Sequence, residues 1–121
     1  MMYLRYLIVL SFAVALTSCT NDSTNDLIAE VPADEAVVYS RDIAPIVSNS
    51  CTNCHGAVPT LGAPMPLVTA DQVRNAILNQ DLLGRIALPN GDDLLMPQGG
   101  PRFPDATIEL FVRWQQDGFQ N

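Results

Sequence analysis

The sequence predicts a small all-α domain of three to four helices, and three observations support that fold class. Apolar residues recur at helical spacing in three segments, a helix-start signal accompanies each, and no segment shows the alternation of a β-strand. The part of the chain with this patterning, residues 36–121, is long enough for one small domain and not for two.

The first helix is predicted from Asp42 to about Asn53. Asp42 is a suitable N-cap, and Pro45 then falls in the first turn, where its missing N–H is tolerated. Ile43 and Val47 share one face of this helix, which leads directly into a cysteine-containing segment.

The second helix is predicted from Ala70 to about Gln80, because Thr69 and Gln72 have the spacing of a capping box. Residues 82–88 could continue it after a break near Asp81 or Gly84. Its expected apolar stripe is Val73, Ile77 and Leu78.

The last helix is predicted from about Asp105 to Asp117, with Pro104 suited to its first turn and Gly118 at the position after its end. Trp114, the only tryptophan, is expected to serve the packing of helices against each other. The expected apolar face is Ile108, Phe111, Val112 and Trp114 or Gln115.

A cysteine motif, Cys51-Thr52-Asn53-Cys54-His55, follows the first helix. C-x-x-C-H is the pattern for covalent attachment of haem c: each thiol adds to one vinyl group, and the histidine becomes the proximal iron ligand. His55 is the only histidine in the chain. The motif therefore predicts one covalent haem c held by Cys51, Cys54 and His55.

Three other interpretations fit the motif less well. A structural disulfide could join the two cysteines, or they could form half of a zinc site that lacks two ligands. A thioredoxin-like redox pair is the third, but it normally lies beside a βαβ pattern that this sequence does not show.

The N-terminal residues predict export. Residues 1–18 contain Arg5 and then an apolar run too short to span a bilayer comfortably, as in a signal peptide. Small residues before Cys19 resemble a bacterial lipobox, so Cys19 is predicted to become a lipidated N-terminus; an ordinary secretory signal with a chance cysteine is the alternative. Either places the chain outside the cytoplasm, where bacteria attach haem c, and the lipid would hold it on the periplasmic side of a membrane.

Residues 19–35 are polar and acidic and are predicted to form a flexible tether to a domain at 36–121. The net charge is −7, and the six basic residues are all arginine. This balance argues against nucleic acid, against acidic surfaces and against docking through a ring of lysines. Acidity could also simply keep an exported protein soluble.

The sixth iron ligand is predicted by elimination. No second histidine and no lysine is present, and Met1 and Met2 leave with the signal peptide, so the candidates are Met65 and Met96. Met96 is favoured because the chain before it can pass around the haem, and Pro97 keeps its backbone extended. Met65 is expected to form a wall of the haem pocket, although either methionine could merely fill the core.

The chain resembles a class I cytochrome c domain over about residues 39–119. The matching segments are 39–46, the motif through Gly56, 82–86, 108–118 and the Met96-Pro97-Gln98-Gly99-Gly100 run. It is similar in particular to such domains in exported bacterial lipoproteins of the Bacteroidetes kind.

That resemblance implies the small cytochrome c fold, its terminal helices crossing around one covalent haem c, with His55 and Met96 as iron ligands. It implies single-electron transfer between redox protein partners, such as membrane respiratory complexes, and no enzymatic activity. Two alternatives remain: a haem-based gas sensor, and a structural haem lipoprotein subunit of a larger redox complex.

Overall fold

The computed structural model describes residues 31–121, which form four α-helices and no strand. A π-helical turn, Tyr39–Ile43, leads into helix α1, Ala44–Ser50, and the later helices are α2 (Ala70–Asn79), α3 (Leu82–Ala87) and α4 (Asp105–Gln116). One isolated parallel bridge joins Val38 to Gln120. The prediction of an all-α fold class is therefore confirmed for residues 31–121.

None of the helices within residues 31–121 has the length and apolar character needed to cross a membrane. The predicted signal peptide, the lipidation of Cys19 and most of the predicted tether lie outside the described residues. Those assignments stay predictions.

The first helical element starts earlier than predicted. The N–H of Ala44 bonds to the carbonyl of Tyr39, which makes the first turn π-helical. Asp42 is therefore not an N-cap; it lies inside this turn, where its Oδ2 accepts the N–H of Val38 at 2.8 Å. The Arg41 guanidinium donates to the same carboxylate and lowers the pKa of Asp42.

Helix α2 begins as predicted, with the reciprocal capping box between Thr69 and Gln72. The predicted break after it occurs at Asp81, which has a left-handed φ of 55°. The predicted apolar stripe was wrong at Leu78, whose side chain is 51% exposed, while Ala76 is buried in its place.

Helix α4 begins one residue after Pro104, which is its N-cap. The helix ends in a Schellman motif: the N–H of Gly118 bonds to the carbonyl of Gln115, and the N–H of Phe119 bonds to that of Trp114. Gly118 has φ 78°, as predicted for the residue after the helix. The buried face is Thr107, Leu110, Phe111 and Trp114, with Ile108 and Val112 only partly buried.

Trp114 joins the two ends of the described chain. It is fully buried, its ring centroid lies 5.3 Å from that of Tyr39 and 4.9 Å from that of Phe119, and its Nε1 donates to the carbonyl of Gln120 at 2.8 Å. Helix α4 thus packs against the π-helical turn through one large aromatic side chain. The other large, fully buried side chains are Val37, Ile43, Val73 and Phe111.

Arg113 holds the first described residues against helix α4. Its guanidinium donates to the main-chain oxygens of Val31, Pro32 and Glu35 at 2.7, 2.8 and 2.8 Å. Residues 31–35, which composition alone assigned to the tether, therefore lie on the surface of the helical domain.

Candidate functional site

The cysteine motif occupies the tight turn that ends helix α1. Cys51 is the C-cap, and its carbonyl accepts the N–H of Cys54 at 3.2 Å and the N–H of His55 at 2.9 Å. The side chains of Cys51, Cys54 and His55 therefore leave the main chain within one short, hydrogen-bonded turn. The helix was predicted to extend to about Asn53, but it ends at Ser50, and residues 51–55 form this turn instead.

The imidazole of His55 is buried and has one defined partner. Its Nδ1 lies 2.8 Å from the main-chain oxygen of Met65. A carbonyl oxygen can only accept, so Nδ1 carries the proton and donates it. The lone pair of the neutral ring is then on Nε2, which is the arrangement a metal-binding histidine needs.

Beside the bond from His55 to Met65, three hydrogen bonds join the loop after the motif to main-chain carbonyls of the motif. The N–H of Leu67 donates to the carbonyl of His55 at 2.8 Å, so residues 65 and 67 bracket His55. The Thr60 N–H donates to the carbonyl of Cys54 at 2.8 Å, and its hydroxyl donates to that of Asn53 at 3.2 Å. These bonds fix the loop and, with it, the position of the His55 ring.

The two thiols are free and partly buried. Burial raises the pKa of Cys51 to about 11, so this thiol is protonated near neutral pH. A thioredoxin-like pair depends on a cysteine with a lowered pKa, and Cys51 is shifted in the opposite direction. Burial also raises the pKa of Tyr39, and the nearby Cys51 adds to that effect.

A zinc site would need more ligands than the motif supplies. Among residues 31–121, no group of three or more His, Cys, Asp or Glu side chains is placed to bind a metal ion. Cys51, Cys54 and His55 are therefore not part of a preformed tetrahedral site within this part of the chain.

Both candidate methionines contact the hydrophobic core and are partly buried. Met65 lies on the Nδ1 side of His55, because its carbonyl accepts the proton there. Met96 follows the buried Leu95, and its N–H donates to the carbonyl of Arg85 near the end of helix α3 at 3.1 Å. The two side chains thus come from segments held by different parts of the fold.

The sequence did not predict that the main chain of Met65 would bind His55. Met65 was expected to contribute only a side chain, whereas its carbonyl orients His55. The prolines on either side, Pro64 and Pro66, were the available signal, because they hold the backbone extended and leave the carbonyl free of helical bonding.

The residues present fit haem c: two thiols at the required spacing, and next to them a buried histidine with its Nε2 lone pair available. No protein-family model matches this chain, and comparison with curated proteins and with solved structures finds no match either. A function for this site therefore rests on its own residues.

Proposed function

We propose that this protein is a c-type cytochrome with one haem and the class I cytochrome c fold. The observation that carries the proposal is the bond from His55 Nδ1 to the Met65 carbonyl, next to two cysteines at haem-attachment spacing. That bond gives the ring the tautomer and the fixed orientation that an iron ligand needs.

Each proposed site residue has a distinct task. Cys51 and Cys54 would hold the haem through thioether bonds, and His55 would bind its iron through Nε2. When bound, the haem supplies a single-electron couple between ferric and ferrous iron.

Met96 is the proposed sixth ligand. Met96 would hold the iron together with His55 Nε2, because Met65 is tied by its own carbonyl to Nδ1, the ring atom that would not bind iron. Met96 lies on a separate segment attached to helix α3 and preceded by a buried leucine. Methionine sulfur favours ferrous iron and raises the reduction potential above that of bis-histidine haem.

The proposed role is electron transfer between respiratory partners, not catalysis. If His55 and Met96 both hold the iron, the haem would supply electron transfer without binding a substrate. The predicted signal peptide and the predicted lipid on Cys19 would place the domain on the periplasmic side of a bacterial membrane.

A haem-stained gel with an optical spectrum of the membrane fraction tests this function. We expect a stained band at the size of the mature chain and the spectrum of six-coordinate His/Met haem. A protein that reaches the membrane without haem stain, in cells that mature other c-type cytochromes, would overturn the proposal.

A further inference from the structure

The segment that carries Met96 is fastened at both ends to the last turn of helix α3. The N–H of Met96 donates to the carbonyl of Arg85 at 3.1 Å, and Arg102 Nε donates to the carbonyl of Ala87 at 3.1 Å. Both acceptors lie in the last turn of the helix, where carbonyls have no partner within the helix. Residues 96–102 therefore form a loop that starts and ends on the same short helix.

Arg102 also closes the neck of a larger loop around Met96. Its main-chain N–H donates to Asn90 Oδ1 at 2.7 Å, which joins two positions 12 residues apart. Its guanidinium Nη1 donates to Asp105 Oδ1 at 2.7 Å and to the carbonyl of Phe103 at 3.2 Å. Arg102 thus connects the end of α3, the loop before Met96 and the start of helix α4.

The two limbs of this loop differ in how they are held. Before Met96, successive hydrogen-bonded turns lead from residue 89 to the buried Leu95. After Met96, residues 97–101 make a single hydrogen bond within residues 31–121, and that bond is internal to the limb. Hydrogen bonding of the second limb to the rest of the described domain therefore begins at Arg102.

The contacts of Arg102 differ in what they can contribute. The side chain of Asp105 is 90% exposed, so water screens its ion pair with Arg102 and the pair adds little to overall stability. The bonds to the Ala87 carbonyl and to Asn90 instead fix where the second limb returns to the domain. They restrict the positions that Met96, within the loop, can take.

We propose that Arg102 is a positioning residue for Met96: its bonds to Ala87 and Asn90 close the loop and keep the Met96 sulfur in place as an iron ligand. This role rests on the cytochrome function proposed above and on Met96 as the sixth ligand. Arg102 does not itself bind the iron; it acts through the loop.

Competition by an added ligand measures how firmly Met96 is held. Imidazole can bind the ferric iron only in molecules whose methionine is detached, so its apparent affinity rises with the fraction of such molecules. Arg102→Met in the full haem-loaded chain removes the guanidinium bonds and should raise the imidazole affinity about tenfold, as expected for one or two lost hydrogen bonds. Arg74→Met is the control and should leave it unchanged, because Arg74 packs over the Phe119 ring.

Asn90 offers a second pair of variants at the neck of the loop. Asn90→Ala removes the acceptor of the Arg102 N–H and should also raise the imidazole affinity. Asn90→Asp keeps an oxygen at this position and should behave like the parent. Because neither variant changes the guanidinium, this pair tests the loop closure even if Arg102→Met folds poorly.

Hydrogen exchange separates positioning from a general loss of stability. In Arg102→Met, the N–H of Met96 should exchange faster, since its bond to Arg85 lies in the loosened loop, whereas the N–H of the buried Phe111 in helix α4 should not. A general loss of stability would speed both.

The outcomes distinguish this role from the function on which it rests. In a haem protein whose spectrum responds to Met96→Ala, an unchanged imidazole affinity, an equal rise in Arg74→Met, or equally faster exchange at Met96 and Phe111 would overturn the positioning role alone. A chain that carries no haem would overturn the cytochrome function and this role with it.

Discussion

The Nδ1 atom of His55 donates its proton to the main-chain oxygen of Met65 across 2.8 Å. This bond joins the cysteine turn to the end of the following loop, ten residues later, and it is reinforced by the bond from Leu67 N–H to the His55 carbonyl. Because Met65 uses its main chain here, its side chain can be changed without removing the bond. A change to the Met65 side chain therefore tests its role as an iron ligand without disturbing the orientation of His55.

Replacing each methionine in turn by alanine tests which of them is the sixth iron ligand. Met96→Ala is expected to abolish the absorption of methionine-bound ferric haem, to lower the reduction potential and to open the iron to cyanide or carbon monoxide. Met65→Ala should leave the spectrum nearly unchanged and cost only packing, about 1–3 kcal/mol for a partly buried side chain. Optical spectra of both variants with and without cyanide provide the measurement.

The reverse pattern of spectra would assign the ligand role to Met65. If both variants keep the parent spectrum, the iron has no methionine ligand, and the gas-sensor alternative gains over electron transfer.

Arg113 is expected to stabilise the fold through its three carbonyl partners. Arg113→Met removes all three bonds to residues 31–35 and should lower the free energy of unfolding by about 1–3 kcal/mol. It should also make residues 31–35 accessible to proteases. Arg74→Met is the control, since Arg74 packs over the Phe119 ring and donates to no carbonyl within residues 31–121 in the structure. Equal stability and equal cleavage of the two variants would refute this role.

Asp42 should make stability depend on pH in the acid range. Its pKa in the folded protein is lowered, chiefly by the Arg41 guanidinium and then by the Val38 N–H, so the ionised form favours folding. The stabilisation by ionised Asp42 is complete above its pKa in the unfolded chain, about 3.9. It is lost as the pH falls through the lower pKa that Asp42 has in the folded protein.

Asp42→Asn is therefore expected to lower the free energy of unfolding at pH 7 by about 1–2 kcal/mol and to have little effect near pH 2. Urea unfolding of both proteins across this range measures the difference. A difference that stays constant down to pH 2 would show that the charge is not responsible.

Cys19 is predicted to carry the membrane anchor. Cys19→Ala should release the protein from membranes or block processing of the precursor, which fractionation and the mass of the mature chain can distinguish. A variant that stays as firmly bound as the parent would mean that the apolar run at 6–16 is itself the anchor.

Local signals in the sequence predicted much of the helical framework. Thr69 and Gln72 predicted the start of α2, and Gly118 predicted the end of α4, because both depend on neighbours within a few residues. The motif likewise brought Cys51, Cys54 and His55 together by spacing alone.

What the sequence did not reveal depends on contacts across the chain. Asp42 was wrongly predicted to be an N-cap, because it lies inside a π-helical turn that periodicity does not predict; there it accepts the N–H of Val38, the residue before that turn. The attachment of residues 31–35 depends on Arg113, about eighty residues away, so composition alone made them appear to be linker. The Met65 carbonyl was missed because any residue can supply a main-chain acceptor, and the flanking Pro64 and Pro66 were its only signal in the sequence.

Covalent haem attachment at Cys51 and Cys54 is the central claim, and intact mass tests it most directly. The mature protein, made in a host with a cytochrome c maturation system, is extracted with acid acetone, which removes haem that is not covalently bound. We expect the extracted protein to keep the added mass of one haem and the Cys51→Ala, Cys54→Ala double variant to lose it. A parent protein whose mass is that of the polypeptide without haem would contradict the account.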